Sequence, residues 1–480
     1  MNKITRRNFM TGAAATAFSL SAWQRAHGAN ENIRIAVVGT GGRGAAHIDG
    51  YTKLKGVQLV ALCDVDSEHV DAAADKLEKK SIKVEKYTDY RKLLANKDID
   101  AISIATPNHQ HSIQAIWAMQ AGKDVYCEKP ISHNVWEGRK VVEAAASSGK
   151  ICASGTQSRS NPGMIESVKY IQDGKLGKIQ YVRGLCYKRR ASIGKVDGPQ
   201  TPPKTLDYDQ WCGPARMLPL TRKKLHYDWH WVWETGNGDL GNQGIHQMDI
   251  ARWILGENKL SPKIFSIGGR FGYVDDGETP NTMMTIHDYA TAPLIFEVRG
   301  LPAKPAKEGE KEEMDDLKGV KVGVITQCEG GSLVMASYNA GKAFDKEGKL
   351  IQEFKGEGDH FKNFIEAVQN RTQNTLHASI LEGHLSSALC HTGNISLRLG
   401  KTSSPDAIRE KLKGNAVAQE TFESINKHLQ MNLVDLSKNN ATLGEFLTMD
   451  PATEAFTGNP EATKLLTREY RAPYVIPEKI

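Results

Sequence analysis

From Asn32 onward the chain alternates short apolar, β-branched runs with stretches in which apolar residues recur every three or four positions. "IRIAVVG", beginning at Ile33, reads as a buried strand and "GRGAAHIDGYTKL" opens a helix. "VQLVALCDVD" is a second strand, "AISIATP" a third and "DVYCEKP" a fourth, with helices such as "HSIQAIWAMQAG" between them. Strand and helix in regular alternation predict a doubly wound parallel sheet over residues 29–155. Beyond "GTQSRSNPGMIESVKYI" the pattern changes to separate alternating runs such as "PKIFSIGGRFGYV", "NTMMTIHDY", "PLIFEVRG", "KVGVITQCEG" and "SLVMASY". These predict one large mixed or antiparallel sheet in an α+β domain over residues 156–400. Between two of its strands, "LPAKPAKEGEKEEMDDLKG" is charged and contains proline, which predicts an exposed, mobile excursion. Residues 401–480 read as a helical and irregular extension wrapping the body.

The 480 residues, 40% hydrophobic and 25% charged, can bury a large core. Near the start, Arg6-Arg7 precede a modestly apolar run from Met10 to Trp23 and then "AHGAN", with the small residues Ala26 and Gly28 before a cut. A charged start, a short apolar middle and a small-residue exit predict a signal peptide over 1–28, with no stable membrane span. The twin arginines predict the folded-export (Tat) route and a periplasmic or otherwise exported protein. Loss of that segment removes four basic residues and no acids, lowering the formal charge from +6 to +2. Nothing then argues for nucleic acid as a partner. The seven cysteines are scattered and never form a C-x-x-C pair, so neither a disulfide framework nor a zinc site is expected.

Gly39-Thr40-Gly41-Gly42-Arg43-Gly44 forms a G-x-G-x-x-G directly after a strand and opening a helix. The first glycine permits the tight turn, the second lets a pyrophosphate approach the backbone, and the third allows close packing of the helix, whose N-terminus favours an anion. Asp64, twenty residues after Gly44 at the end of the second strand, is placed to take both ribose hydroxyls. Its charge would repel a 2′-phosphate, so NAD is favoured over NADP; Arg43 is the neighbouring cation that argues the other way. The fold class is therefore α/β, an N-terminal Rossmann sheet joined to a C-terminal α+β domain.

"ATPNHQHSIQAIWAMQAGKDVYCEKP" followed by "GDLGNQGIHQMDIARWILG" resembles the Gfo/Idh/MocA family of sugar and polyol oxidoreductases, over about Ile33 to Leu399. The resemblance rests on the E-K-P element and the downstream G-x-H-x-x-D. It implies that Thr106, Pro107 and Asn108 lie against the cofactor with His111 nearby, and that Glu128 sits at the nicotinamide ribose. It implies that Lys129 stands beside both nicotinamide and the substrate hydroxyl, before Pro130 in a frequently cis bond, and that Gln157 reaches the nicotinamide. His246 matches the family's catalytic histidine and Asp249 its acid three residues on, while the frequent aspartate four residues before that histidine is here Asn242. The resemblance also implies a homo-oligomer, a dimer or tetramer.

These roles suit the chemistry. Hydride leaves a carbinol carbon only as the hydroxyl proton is removed, and His246 has the intrinsic pKa of a base for that proton. Lys129, crowded by a cationic nicotinamide, should favour its neutral form or stabilise a developing alkoxide while charged. Asn242 cannot take a proton but can orient the histidine or a sugar hydroxyl.

In "HYDWHWVWETGNGDLGN", an extended backbone would put Trp229, Trp231 and Trp233 on one face, and such a stripe either packs a core or stacks on a sugar. Trp231 is the stacking candidate. His226, Asp228 and His230 would line one face as well, but without an identifiable fourth ligand no metal is expected. "LCYKRRASIGKVD" is either a solvated loop or a seat for an anionic sugar, and His377, His384 and His391 recur at heptad spacing along one seam.

No dependable NAD pool exists outside the cytoplasm, so an exported nicotinamide enzyme must carry its cofactor and restore it at each turnover. The sequence thus predicts an NAD-dependent oxidoreductase acting on a sugar or glycoside. A redox-neutral NAD-dependent glycosidase and a non-catalytic NAD- or sugar-binding protein are the alternatives.

Overall fold

The computed structural model describes residues 32–307 and 309–480, so the twin-arginine segment lies outside the described residues. Six strands, β1 (Ile33–Val38), β2 (Val57–Cys63), β3 (Glu85–Tyr87), β4 (Ala101–Ile104), β5 (Asp124–Cys127) and β6 (Cys152–Ser154), form an all-parallel sheet in the order 3-2-1-4-5-6. Successive residues of β1 enter different cores, as strand periodicity requires. Ile33, Ile35 and Val37 pack with Phe361 and Phe364, which the chain returns from the second domain, while Ala36 and Val38 pack with Ile113 and Ile116. Both faces are therefore covered, which is why β1 reads as a continuous apolar run rather than as an alternation. The strand order reverses between β1 and β4, and the carboxyl ends of those strands open onto a cleft.

The second domain contributes β7 (Ile179–Tyr187), β8 (Lys263–Gly269), β9 (Thr282–Asp288), β10 (Pro293–Arg299), β11 (Val322–Cys328), β12 (Gly331–Met335), β13 (Ala340–Asp345) and β14 (Leu350–Lys355). They pair in the order 14-13-12-11-7-10-9-8, antiparallel except for β10 with β7. Leu294, Phe296 and Val298 of β10 face one core and Ile295 the other. Helices α1 (Arg43–Lys53) and α2 (Val135–Ser148) belong to the first domain; α3 (Gly244–Leu255) and α4 (Ile380–Arg398) pack together beneath the second sheet.

Two expectations need correction. Residues 401–480 do more than wrap the body: β15 (Lys401–Ser403), β16 (Ala441–Leu443), β17 (Leu447–Asp450) and β18 (Ala455–Thr457) extend the second sheet to twelve strands through β8. The charged excursion is tied down rather than loose, because Glu312 pairs with Arg189 at 2.5 Å while Asp315 meets Arg299 at 2.8 Å and His428 at 2.7 Å. The stretch was too polar to suggest a packed role, yet two of its anchors, Arg189 and His428, come from elements distant in sequence. All seven cysteines are buried and unpaired, and among the described residues no helix is long and apolar enough to cross a membrane.

Candidate active site

The glycine turn has the shape its sequence requires. Gly39 adopts φ +81°, and a Cβ there would lie 2.7 Å from the Thr106 nitrogen; a Cβ on Gly44 would lie 1.8 Å from the Gly39 carbonyl oxygen. Side chains are excluded, leaving a bare backbone cradle at the N-terminus of α1 that fits a pyrophosphate. Asp64 braces this turn, accepting from the Thr40 amide at 2.8 Å and from its hydroxyl at 3.1 Å. Thr106, Pro107, Asn108 and His111 form the opposite wall. His111 is held there by Pro130 and Thr106 carbonyls, each 2.7 Å away.

Arg43 does not stand beside Asp64. Its guanidinium crosses to Glu128 at 2.7 Å and donates to Gln157 at 2.9 Å, which removes the cation that argued for NADP. His47, fully buried on α1, donates through Nε2 to the Glu128 carboxylate (3.0 Å) and meets the Ser103 hydroxyl through Nδ1 (2.8 Å). Burial alone would raise the Glu128 pKa, but Arg43, His47 and Lys129 outweigh it and hold the carboxyl well below its ordinary range. Sequence reasoning missed His47, which sits mid-helix without a motif.

Lys129 follows Glu128 and precedes a cis bond to Pro130. Its ammonium donates to the Asn242 carbonyl oxygen at 2.9 Å, so Lys129 and Asn242 do converge, although through the main chain of Asn242. Burial lowers the Lys129 pKa, with Arg43 acting in the same direction and Glu128 against it. His246, in the first turn of α3, is 9% exposed, and its Nδ1 has no hydrogen-bond partner. Burial, then Lys129, pushes its pKa well below the ordinary imidazole value, leaving a neutral ring with an unused nitrogen. Tyr338 packs against that ring with centroids 5.1 Å apart and hydrogen-bonds Gln243, which also accepts from Lys188 at 2.8 Å. Sequence reasoning missed Tyr338 because it lies ninety residues further on, in a loop of a different element.

Asp249 is not at this site. It is 1% exposed, lies under Arg159 at 2.9 Å and accepts from Ser386 at 2.7 Å, locking α3 to α4. Trp231 is also a correction. Residues Leu225–Asp228 are α-helical and Trp229–Trp231 form a 3-10 turn, so the predicted extended stripe does not exist. Trp231 is buried beneath Arg190, Trp233 packs under Arg398, and Trp229 with Trp211 and His230 lines the cleft instead.

The same winding separates His226, Asp228 and His230, since helical residues two apart point nearly opposite ways. His226 instead reaches Asp66 at 3.0 Å, and Asp66, His69 and His226 bring ligand-type atoms within 4.8 Å of one another. The basic loop is not free either: Arg190 grips Asp239 through two bonds of 2.7 and 2.8 Å.

Comparison with known proteins agrees with this geometry. Residues 33–156 match the oxidoreductase family, NAD-binding Rossmann fold, of Gfo/Idh/MocA, and residues 169–279 match its C-terminal alpha/beta domain. An inositol 2-dehydrogenase of Salmonella paratyphi B is 25% identical over 235 residues, 48% of this chain and 57% of that protein. An alpha-N-acetylgalactosaminidase of Shewanella oneidensis is 30% identical over 197 residues, 35% of this chain and 41% of that protein. The chain thus spans about half the length of these curated relatives. The crystal structure of the WlbA dehydrogenase of Bordetella pertussis in complex with NADH and UDP-GlcNAcA shares the fold, with a TM-score of 0.54 and 20% identity over 75% of this chain and 94% of that one. By these matches and by its glycine cradle, the chain carries the NAD-binding Rossmann domain and the C-terminal α/β domain of the Gfo/Idh/MocA oxidoreductases, with NAD as its cofactor.

Proposed function

We propose that the protein is an NAD-dependent oxidoreductase acting on a sugar or glycoside, with the cofactor held through the cycle and restored within it. The observation that carries this reading is a cover over the cofactor cleft. A segment of the second domain, residues 205–230, bonds to both lips: Ser67 N donates to Thr205 O at 2.9 Å, Asp207 N donates to Val65 O at 3.0 Å, and Gln110 reaches the Trp211 carbonyl at 2.7 Å. Trp211, Trp229 and His230 then face the glycine turn and Asp64 across the cleft. A dinucleotide seated between them leaves only after those bonds break, which suits an enzyme exported already folded with its cofactor.

Bound NAD supplies a hydride acceptor. The chain's own residues supply the proton path: His246, neutral and with a free nitrogen, takes the proton of the substrate hydroxyl as the carbinol hydrogen leaves with its electron pair. Lys129, fixed by the Asn242 carbonyl, stabilises the developing alkoxide and shares the proton. Glu128, kept charged by Arg43 and His47, holds the cationic end of the cleft in place. Return of the hydride to a carbonyl acceptor restores the starting state.

The likeness to an alpha-N-acetylgalactosaminidase favours a second version of the cycle. There the ketone acidifies the adjacent C–H, a base removes that proton, the glycosidic oxygen leaves protonated, water adds to the alkene, and the hydride returns. It needs no flanking carboxylate pair of the ordinary hydrolase type.

The test is to purify the protein with no cofactor added, denature it, and quantify released nicotinamide by mass spectrometry. About one NAD per chain is expected; a folded protein with an empty site would overturn the carried-cofactor reading. Deuterium exchange next to the oxidised carbon separates the two versions, since only elimination washes in solvent hydrogen there. No hydride exchange with any sugar would leave a binding protein.

A further inference from the structure

We infer that a second cavity, beyond Asn237 from the cofactor cleft, is a binding site for a sugar that bears a carboxylate. The cavity measures about 390 Å³, within the range of small-molecule sites. Its walls come from four places: His133 after the cis-proline segment, the C-terminal half of α4, the stretch Arg216 and Trp233-Glu234, and the chain from Lys464 to Glu469.

Charge selects the first half of the ligand. Arg216, Arg398, Lys464 and Arg468 line the cavity against the carboxylates of Glu234 and Glu469. Glu234 is already shared between Arg216 at 2.8 Å and Arg468 at 2.7 Å. Lys464 pairs with Glu461 at 2.7 Å. Arg398 makes no ion pair among the described residues, Glu278 and Glu234 acting on it only at longer range, and its guanidinium lies 5.2 Å over the Trp233 ring. A planar cation with no carboxylate in contact, beside Arg468, calls for an anion.

Unsatisfied buried atoms select the second half. His391, 3% exposed, meets Ser132 through Nε2 at 3.2 Å and leaves Nδ1 without a partner. Asn394, also 3% exposed, donates to the Asn237 carbonyl at 2.9 Å and leaves Oδ1 without a partner. Both residues line the cavity. A bare phosphate would suit Arg398 but would offer the Asn394 oxygen another acceptor. A hydroxyl donates to it and can also meet the imidazole nitrogen. Carboxylate and neighbouring hydroxyls on one small ring describe a uronic acid. The cavity is separate from the cofactor cleft and shares with it the residue Asn237, which accepts from Asn108 at 2.5 Å and donates to the His133 carbonyl at 3.1 Å.

The experiment uses the full NAD-loaded chain and titrates D-glucuronate, D-glucose and inorganic phosphate by calorimetry, with thermal unfolding alongside. One glucuronate per chain is expected, with glucose and phosphate at least about tenfold weaker, and R398E should weaken glucuronate by a further factor of about ten or more while NAD content stays constant. Absence of glucuronate binding up to about 10 mM would overturn the proposal. So would phosphate binding as tightly, which would mean a plain anion site, or full affinity in R398E, which would mean a different location. Should R398E itself lower the unfolding midpoint, K464E at the exposed rim provides the same comparison with less risk to the fold.

Discussion

The cofactor cleft has a floor and a cover built on opposite principles. The floor is backbone: Gly39, Gly44 and the end of β2 are fixed by hydrogen bonds among neighbours and by the exclusion of side chains. The cover is long-range: Thr205 and Trp211 offer main-chain carbonyls, and His226 its ring, to residues more than a hundred positions away in sequence. On the proposed reading, the floor selects the ligand class and the cover sets how long it stays. Lys129 lies where the two meet, its ammonium on the Asn242 carbonyl.

The sharpest way to test that division is at the meeting point. K129M should lower turnover by about 10²–10⁴-fold, while mass spectrometry still finds NAD in the purified protein; loss of NAD together with turnover would show that Lys129 serves retention rather than chemistry. Breaking the floor comes next. G44A puts a Cβ 1.8 Å from the Gly39 carbonyl oxygen, so it should cost about 3 kcal/mol or more and empty the site, read by thermal unfolding and by NAD per chain.

Acidification strikes floor and cover together. His109 and His230 line or support the cleft, and His287 and His391 lie deeper; burial holds all four at about 3. An unfolded imidazole takes its proton below about 6.5, so the unfolded chain binds more protons between those values. Stability should fall as pH drops from about 6.5 towards 3, seen as a lower unfolding midpoint at pH 5 than at pH 7. His246, depressed in the same direction, should keep the acid limb of activity below the ordinary histidine range; a limb at or above that range would mean the base is another group. The smallest effect is expected from H226A, which frees the cover from Asp66. It should speed NAD release by about tenfold, or about 1.4 kcal/mol, with the unfolding midpoint little changed. Unaltered release would mean the backbone bonds at Thr205 and Asp207 hold the cover alone.

The floor was legible because its meaning is local. A strand, three glycines and an acid twenty residues later are read within one βαβ unit, and the structure keeps Gly39, Gly41, Asp64, Thr106 and Asn108 around one cleft. Glu128, Lys129 and His246 were singled out through a family motif rather than through any periodicity. Trp231 and Asp249 went astray for different reasons. The first needed an extended backbone that is in fact wound, and the second is claimed by Arg159 and Ser386, which only the tertiary fold brings to it.

Sequence alone determined the parallel sheet, the glycine cradle and the cofactor class, because short-range patterns of burial and backbone freedom encode them. Tertiary structure alone decided that Arg43 serves Glu128 rather than a ribose phosphate, that His47 and Tyr338 belong to the site, that residues 205–230 close over the cleft, and that Arg398 stacks on Trp233 without a contact ion pair among the described residues. Those outcomes rest on contacts between positions far apart in the chain, where the choice of partner is set by packing and charge balance over the whole fold.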